Sequence, residues 1–245
     1  ANPFRAVFMF AEDAKKRGVT FLTNHEVVRI NKNANNAVES VVAFDKTGKR
    51  YIKISTENAI NAAGTGSVRV AKMAGVDLSD QLWIERHGAF ITEKMPLWLD
   101  PLIVSYHPEL SGYWQQKRME ANVKEGEIVA CYSSSKPIKG YNNHSYIYFL
   151  SRMAKAMLLC QPGMADVGII RNYAEHYVCR QSGIPIVGKT PVKGFWLNVA
   201  QAGHGFMCAP GDSYALAETI LSDKTHDWIT ECTIEEDKSL AETMK

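Results

Sequence analysis

The chain has no C-x-x-C pair, no H-x-x-x-H pair and no block of like charge. Its five cysteines, Cys131, Cys160, Cys179, Cys208 and Cys232, are odd in number and widely spaced. That spacing argues against a disulfide framework and a zinc site, and it fits a reducing, cytoplasmic compartment. The seven histidines are scattered too, so no metal site is expected. Net charge is +2 and basic residues are not interleaved with aromatics, which argues against a nucleic-acid partner. No apolar run approaches the ~20 residues of a membrane span, and the first residues lack the basic-then-apolar order of a secretory signal. Repeats and low-complexity tracts are also missing. What remains is 245 residues of ordinary hydrophobic content, 46%, enough for one large domain or two small ones.

Apolar residues Ala6, Val7, Phe10, Ala11 and Ala14 recur at helical spacing, and Lys15 to Gly18 closes that helix with cations and a glycine. Strands are expected at Val19 to Leu22, Glu26 to Ile30, Ala37 to Asp45 and Arg50 to Ser55, the last two joined by a turn at Lys46 to Lys49. Asn58 to Ala63 reads as a buried parallel strand ending in Gly64-Thr65-Gly66, with Ser67 capping a helix from Val68 to Ala74. From Trp83 to Tyr132, aromatics and period-two stretches such as Tyr113 to Gln116 and Glu127 to Cys131 predict an antiparallel sheet. A helix is expected over Tyr146 to Leu159, and strands at Ile169 to Val178, Ile184 to Val187 and Phe195 to Ala200. The acidic stretch after Thr225 reads as a surface helix or a frayed end.

The run Ala202 to Gly211 holds three glycines and a proline, and the helix-like stretch Ser213 to Leu221 follows it. It reads as a loop that exposes backbone and feeds a helix N-terminus. Free N–H groups and a partial positive charge there suit an anion or an electron-rich ring edge.

Four segments, in order, resemble the FAD-dependent family that includes sarcosine oxidase, glycine oxidase and D-amino-acid oxidase. The first is Ala11 to Val19 followed by Glu26-Val27-Val28-Arg29-Ile30. The second is Asn61-Ala62-Ala63-Gly64. The third runs from Arg171-Asn172-Tyr173-Ala174 through Gly183-Ile184-Pro185-Ile186-Val187-Gly188. The fourth is Gly203-His204-Gly205-Phe206 with Ala209-Pro210. The resemblance covers about Pro3 to Leu221. It implies an α/β fold, a portion of an FAD-binding domain interrupted by an antiparallel β-sheet substrate domain with a helix. Residues 1–82 and 179–224 would form the cofactor portion, 83–178 the substrate domain and 225–245 an acidic tail. It further implies oxidation of a C–N bond in a small amine or amino acid, with hydride passing to flavin N5. The implied FAD contacts are Val27, Ala62, Ala63, Gly64, Gly203, His204, Gly205, Phe206 and Met207. His204 and Tyr177 are the catalytic candidates, and Trp114, Gln116 and Arg171 the substrate-lining ones. Glu175 stands where monomeric sarcosine oxidase carries its flavin-bonded cysteine, which implies a non-covalent cofactor.

The departures from the family are specific. No G-x-G-x-x-G turn is present to hold the FAD pyrophosphate. The chain therefore resembles the C-terminal part of such an enzyme, with that turn expected on a missing segment or a second chain. Met207 replaces the lysine, and Tyr177 the arginine, that bind a substrate carboxylate in sarcosine and glycine oxidases. Ser182 replaces a family acid. With both cations gone, oxidation of a hydroxy acid or polyol phosphate, or a non-catalytic subunit role, stays open.

Overall fold

A computed structural model describes residues 2–99, 101–105, 112–118, 125–132 and 138–235. For Tyr113, Lys117 and Arg118 only the backbone is described. Of the acidic stretch, residues 236–245 lie outside the described set. The described residues of 1–82 and 182–239 form one compact unit, and those of 83–181 another.

The first unit opens with helix α1 (Pro3–Lys16). Proline sits in its first turn, Asn2 Oδ1 accepts from the Arg5 N–H at 3.1 Å, and Lys15 and Lys16 occupy the last turn. None of its residues is buried; Phe4, Val7, Phe8, Met9 and Phe10 are 63–75% exposed. The expected strand at Val19 to Leu22 is not formed. That stretch joins no strand of the described residues and leaves Val19, Phe21 and Leu22 exposed; a strand exists only against a neighbour that takes its hydrogen bonds. Strands β1 (His25–Lys32), β2 (Val38–Asp45) and β3 (Arg50–Ser55) make an antiparallel meander in that order. Its second turn is pinned by Asp45 Oδ1, which accepts from Thr47 N at 3.0 Å and Gly48 N at 2.9 Å. Those bonds, Gly48's first, hold the Asp45 carboxyl below its ordinary range.

Strand β4 (Ala59–Asn61) leads through a 3-10 turn at Gly64–Gly66 into helix α2 (Ser67–Ala74). Ser67 is inside the helix rather than at its cap. Gly66 takes the cap position, and Ser67 Oγ is buried without a hydrogen-bond partner among the described residues. Gly75, at φ +83, ends the helix.

The second unit is a seven-stranded antiparallel sheet: β5 (Trp83–Thr92), β6 (Met95–Pro96), β7 (Ile103–Ser105), β8 (Gly112–Arg118), β9 (Glu125–Tyr132), β10 (Ile138–Lys139) and β11 (Ile169–Cys179). The last of these lies along the whole of β5. Helix α3 (Ile147–Cys160) covers one face. Phe90, Trp114, Ile128, Ala130 and Tyr132 pack there against Phe149, Met153, Ala156 and Met157. The packing is so close that a Cβ on Gly88 would stand 2.2 Å from Phe149.

The chain then returns to the first unit with β12 (Ile186–Lys189) and β13 (Phe195–Val199). Their sheet has the order β12-β13-β4, antiparallel in the first pair and parallel in the second. Gly194, at φ +76, permits the approach of β13 to β4; a Cβ there would stand 2.0 Å from the Glu57 carbonyl oxygen. A 3-10 turn at Ala202–His204 leads into helix α4 (Gly205–Ser222). The stretch from Thr225 is not frayed as far as Cys232. Ile229 and Cys232 join a buried cluster with Val187, Trp196, Ala215 and Leu216, and Val187 N donates to Cys232 O at 2.8 Å. No helix among the described residues is long and apolar enough to cross a membrane.

Candidate functional site

The parallel pairing of β4 and β13, with Phe195 opposite Ala59 and Leu197 opposite Asn61, brings two carboxyl ends to one edge of the sheet. Each end runs through a 3-10 turn into a helix N-terminus, and no side chain caps either helix. Such an edge offers N–H donors and two positive dipole ends to a ligand.

At the first end, Asn61 is buried and shapes the bend. Its Nδ2 donates to Ser67 O at 2.9 Å and its Oδ1 accepts from Ala63 N at 3.2 Å. Ala62, Ala63 and Gly64 are left exposed. Gly64 is at φ +53, and nothing lies within 4 Å of where a Cβ would stand, so the backbone can be approached closely.

At the second end the expected loop is a helix eight residues earlier than the glycine content suggests. α4 starts at Gly205 and runs through Pro210. A proline there removes only the bond to the Phe206 carbonyl, and burial of Ala215, Leu216 and Thr219 holds the rest of the helix. Before it, Ala200 and Ala202 take φ +66 and +46. A left-handed alanine costs roughly 1–2 kcal/mol, and such strain gathers at functional turns. His204 is the helix-cap residue, and its side chain makes no hydrogen bond or ion pair with the described residues. Gly203, Phe206 and Met207 are exposed. Val27 lies in β1 beside a bulge, since Val27 faces Ala43 while Arg29 faces Val42. Its neighbour Glu26 bonds Lys46 at 3.0 Å and Arg69 of α2 at 2.9 Å, which ties this strand to the α2 side. Lys46, then Arg69, holds the Glu26 carboxyl below its ordinary value.

The other four candidates belong to the second unit and do not share one surface. Trp114 is fully buried in the α3-covered core. Gln116 is a clamp: its Oε1 accepts from Trp98 N and Leu99 N, and its Nε2 donates to the Met95, Pro96 and Gly126 carbonyls. Register puts Tyr177 opposite Glu85 and Arg171 opposite Ile91, on the face that α3 does not cover. Six residues of strand separate them, about 20 Å, so one small molecule does not touch both. Tyr177 has company that the linear sequence hides. The His87 ring lies 4.1 Å from it, centroid to centroid, His87 Nε2 is 3.6 Å from Glu85 Oε2, and Trp83 Nε1 donates to Glu85 Oε1 at 2.6 Å. These groups are four strand positions from one another at most, yet nothing in the spacing of β5 alone brings them to Tyr177. Among the described residues, no group of three or more His, Cys, Asp or Glu is placed to hold a metal ion.

The family model for FAD dependent oxidoreductases (DAO) matches residues 1–219. Sarcosine oxidase subunit beta of Arthrobacter sp is 25% identical over 227 residues, which is 89% of this chain and 49% of that protein. The subunit of the same description from Rhizobium meliloti (strain 1021) is 26% identical over 219 residues, 86% of this chain and 46% of that protein. The chain thus spans about half the length of the curated relatives it matches. Among solved structures, L-proline dehydrogenase from P. horikoshii has a TM-score of 0.82 at 24% identity, covering 95% of this chain and 59% of its own. Glycine oxidase from Bacillus cereus ATCC 14579 has a TM-score of 0.71 at 16% identity, covering 90% and 56%.

Proposed function

From the premise that this chain belongs to the FAD-dependent oxidoreductase (DAO) family, we propose that it forms the half of a flavoenzyme that holds the flavin's pyrimidine edge and oxidises a small amine or amino acid. The observation that carries the reading is the edge where β4 and β13 end side by side, each feeding an uncapped helix through a glycine turn. FAD is the family's cofactor, and when bound it supplies the acceptor for a hydride from the substrate carbon.

The chain's own residues supply position and charge. The first-turn N–H groups of α4, from Gly205 to Met207, would hold an electron-rich ring edge, and the dipole of this 18-residue helix would favour negative charge there. Ala62, Ala63 and Gly64 give the second backbone surface, and Val27 the adenine contact. His204, unengaged by the described residues at the head of α4, would be the proton-handling candidate. Tyr177, backed by His87 and Glu85, is the candidate on the substrate sheet. Trp114 and Gln116 support that sheet from within.

The remaining cofactor surface comes from polypeptide carrying a phosphate-binding turn. Three features of the first unit support this: the exposed apolar face of α1, the exposed apolar residues Val19, Phe21 and Leu22 outside any described strand, and the edge of β4 that pairs with no described strand. The substrate class is tested by anaerobic bleaching of the reconstituted flavin. Sarcosine, glycine or proline should bleach it, while lactate and glycerol 3-phosphate should not; bleaching only by the hydroxy compounds would overturn the amine assignment.

A further inference from the structure

Strand β5 carries a cation under the head of α3. Alternate residues of the strand share a face, and Gly88 identifies the one that α3 covers, because a Cβ there would meet Phe149. Arg86, two residues before Gly88, is on that face. It is 4% exposed, and its Nε and Nη1 have no hydrogen-bond partner among the described residues. Neither β5 nor the paired stretch of β11, Asn172 to Val178, puts an acid on this face; Glu175 stands opposite His87, on the other one. His176, opposite Arg86, is engaged elsewhere. Its Nε2 lies 3.1 Å from Asn142 N and 3.0 Å from Asn142 O, and its ring stacks on Tyr141 at 4.6 Å.

The guanidinium lies where α3 begins. Its carbon is 4.4 Å from the ring centroid of Tyr146, the N-cap residue of that 14-residue helix. No side chain caps the helix, and no acid occupies its first turn. The Phe149 N–H turns back to the Tyr146 carbonyl at 3.0 Å, while the N–H groups of Ile147 and Tyr148 have no acceptor within the helix. A buried guanidinium and a positive helix end therefore meet without an anion between them. Each is unfavourable so placed, and a negative group at that spot relieves both. Tyr146 is 42% exposed, so the guanidinium is one side chain below the surface. A ring against one face of a guanidinium leaves its in-plane N–H edge for a ligand, and a planar carboxylate fits that edge.

We propose that Arg86 and the first turn of α3 form a binding site for the carboxylate of a small organic acid, with the Tyr146 ring moving aside to admit it. The site is on the face of the sheet away from Tyr177. It is separate from the substrate position proposed above and does not depend on the flavin reading.

The test is the melting temperature of the whole chain as chloride is exchanged for acetate at constant ionic strength, in wild type, Arg86→Met and Ile147→Pro. Wild type should gain about 2–4 °C at about 100 mM acetate, in a saturating curve. Arg86→Met should lose that gain. Proline is accepted at the first helical position and has no N–H, and the extended backbone of Tyr146 (φ −101, ψ 143) suits a following proline. Ile147→Pro, at a residue 76% exposed, should therefore keep the fold and weaken acetate binding by about threefold or more. Where Arg86→Met fails to fold, Ile147→Pro decides. Inorganic phosphate should separate wild type from Arg86→Met by less than about half as much as acetate does. A wild type that acetate does not shift, or an equal shift in Arg86→Met, overturns the site. Unchanged affinity in Ile147→Pro overturns the part of the helix end, and an equal response to phosphate overturns the carboxylate assignment.

Discussion

Asp212 and Cys208 lie one turn apart on α4, and burial pushes both the carboxyl and the thiol up from their ordinary values of 3.8 and 9.0. The Asp212 charge raises Cys208 further. A raised carboxyl favours the folded state in its protonated form. That contribution is complete below the ordinary carboxylate range and is lost as pH climbs through the raised value. Asp212→Asn cannot ionise, so its melting temperature should gain on wild type as pH rises from 4 toward 7; a gap that is flat with pH, read by thermal melts, contradicts the buried acid. Cys208 stays neutral across that window and adds nothing to the slope. Arg86 is a second buried charge. It is 4% exposed, its Nε and Nη1 have no hydrogen-bond partner among the described residues, and its guanidinium carbon lies 4.4 Å from the Tyr146 ring centroid. Removing a buried cation relieves desolvation, while its cation–π attraction to Tyr146 is worth about 0.5–2 kcal/mol. Arg86→Met should therefore leave stability unchanged or raise it by up to about 2 kcal/mol in denaturant unfolding; a destabilisation of similar size would mean that Arg86 is paired. Neither residue stands out in the sequence, where an Asp or an Arg carries no mark of burial. Asn61, by contrast, is legible through its neighbours Ala62 to Gly64.

At the scale of elements, hydrophobic period serves well where an element packs on its own unit. The expected helix over Tyr146 to Leu159 is α3 within a residue at each end, because its apolar stripe meets the sheet. The meander β1 to β3 follows its alternation and its turn residues. Propensity misleads where packing overrides it: Gly203, Gly205, Pro210 and Gly211 suggest a loop, yet α4 runs through three of them. Trp114 and Gln116 mislead for a different reason. Alternation separates two faces but does not say which one a helix will cover, and α3 covers theirs. Gly88 marks that choice. Gly88→Ala should cost about 1–3 kcal/mol through collision with Phe149. In the double variant with Phe149→Ala the two destabilisations should fall short of their sum by at least about 1 kcal/mol; simple additivity in chemical denaturation would mean the two do not meet.

On the scale of the whole molecule, the chain is two units of different character and about half the length of the relatives it matches. The α/β class and the FAD family are legible from four ordered segments, none of them decisive alone. What cannot be read from the sequence is geometry made by long-range pairing: the parallel alignment of β4 with β13 joins residues 59–61 to 195–197, and it turns two ordinary glycine turns into one ligand edge. The central claim is that this edge holds a flavin once a phosphate-binding half is supplied. The direct measurement is the visible absorption of the purified chain, alone and co-purified with a polypeptide bearing a G-x-G-x-x-G turn, in wild type and Gly205→Val. The flavin band should appear only with the second polypeptide and should vanish or weaken strongly in Gly205→Val, whose side chain would meet Gln201 at the head of α4. A wild-type complex that forms and stays colourless with added FAD, or a Gly205→Val complex as yellow as wild type, would contradict the account.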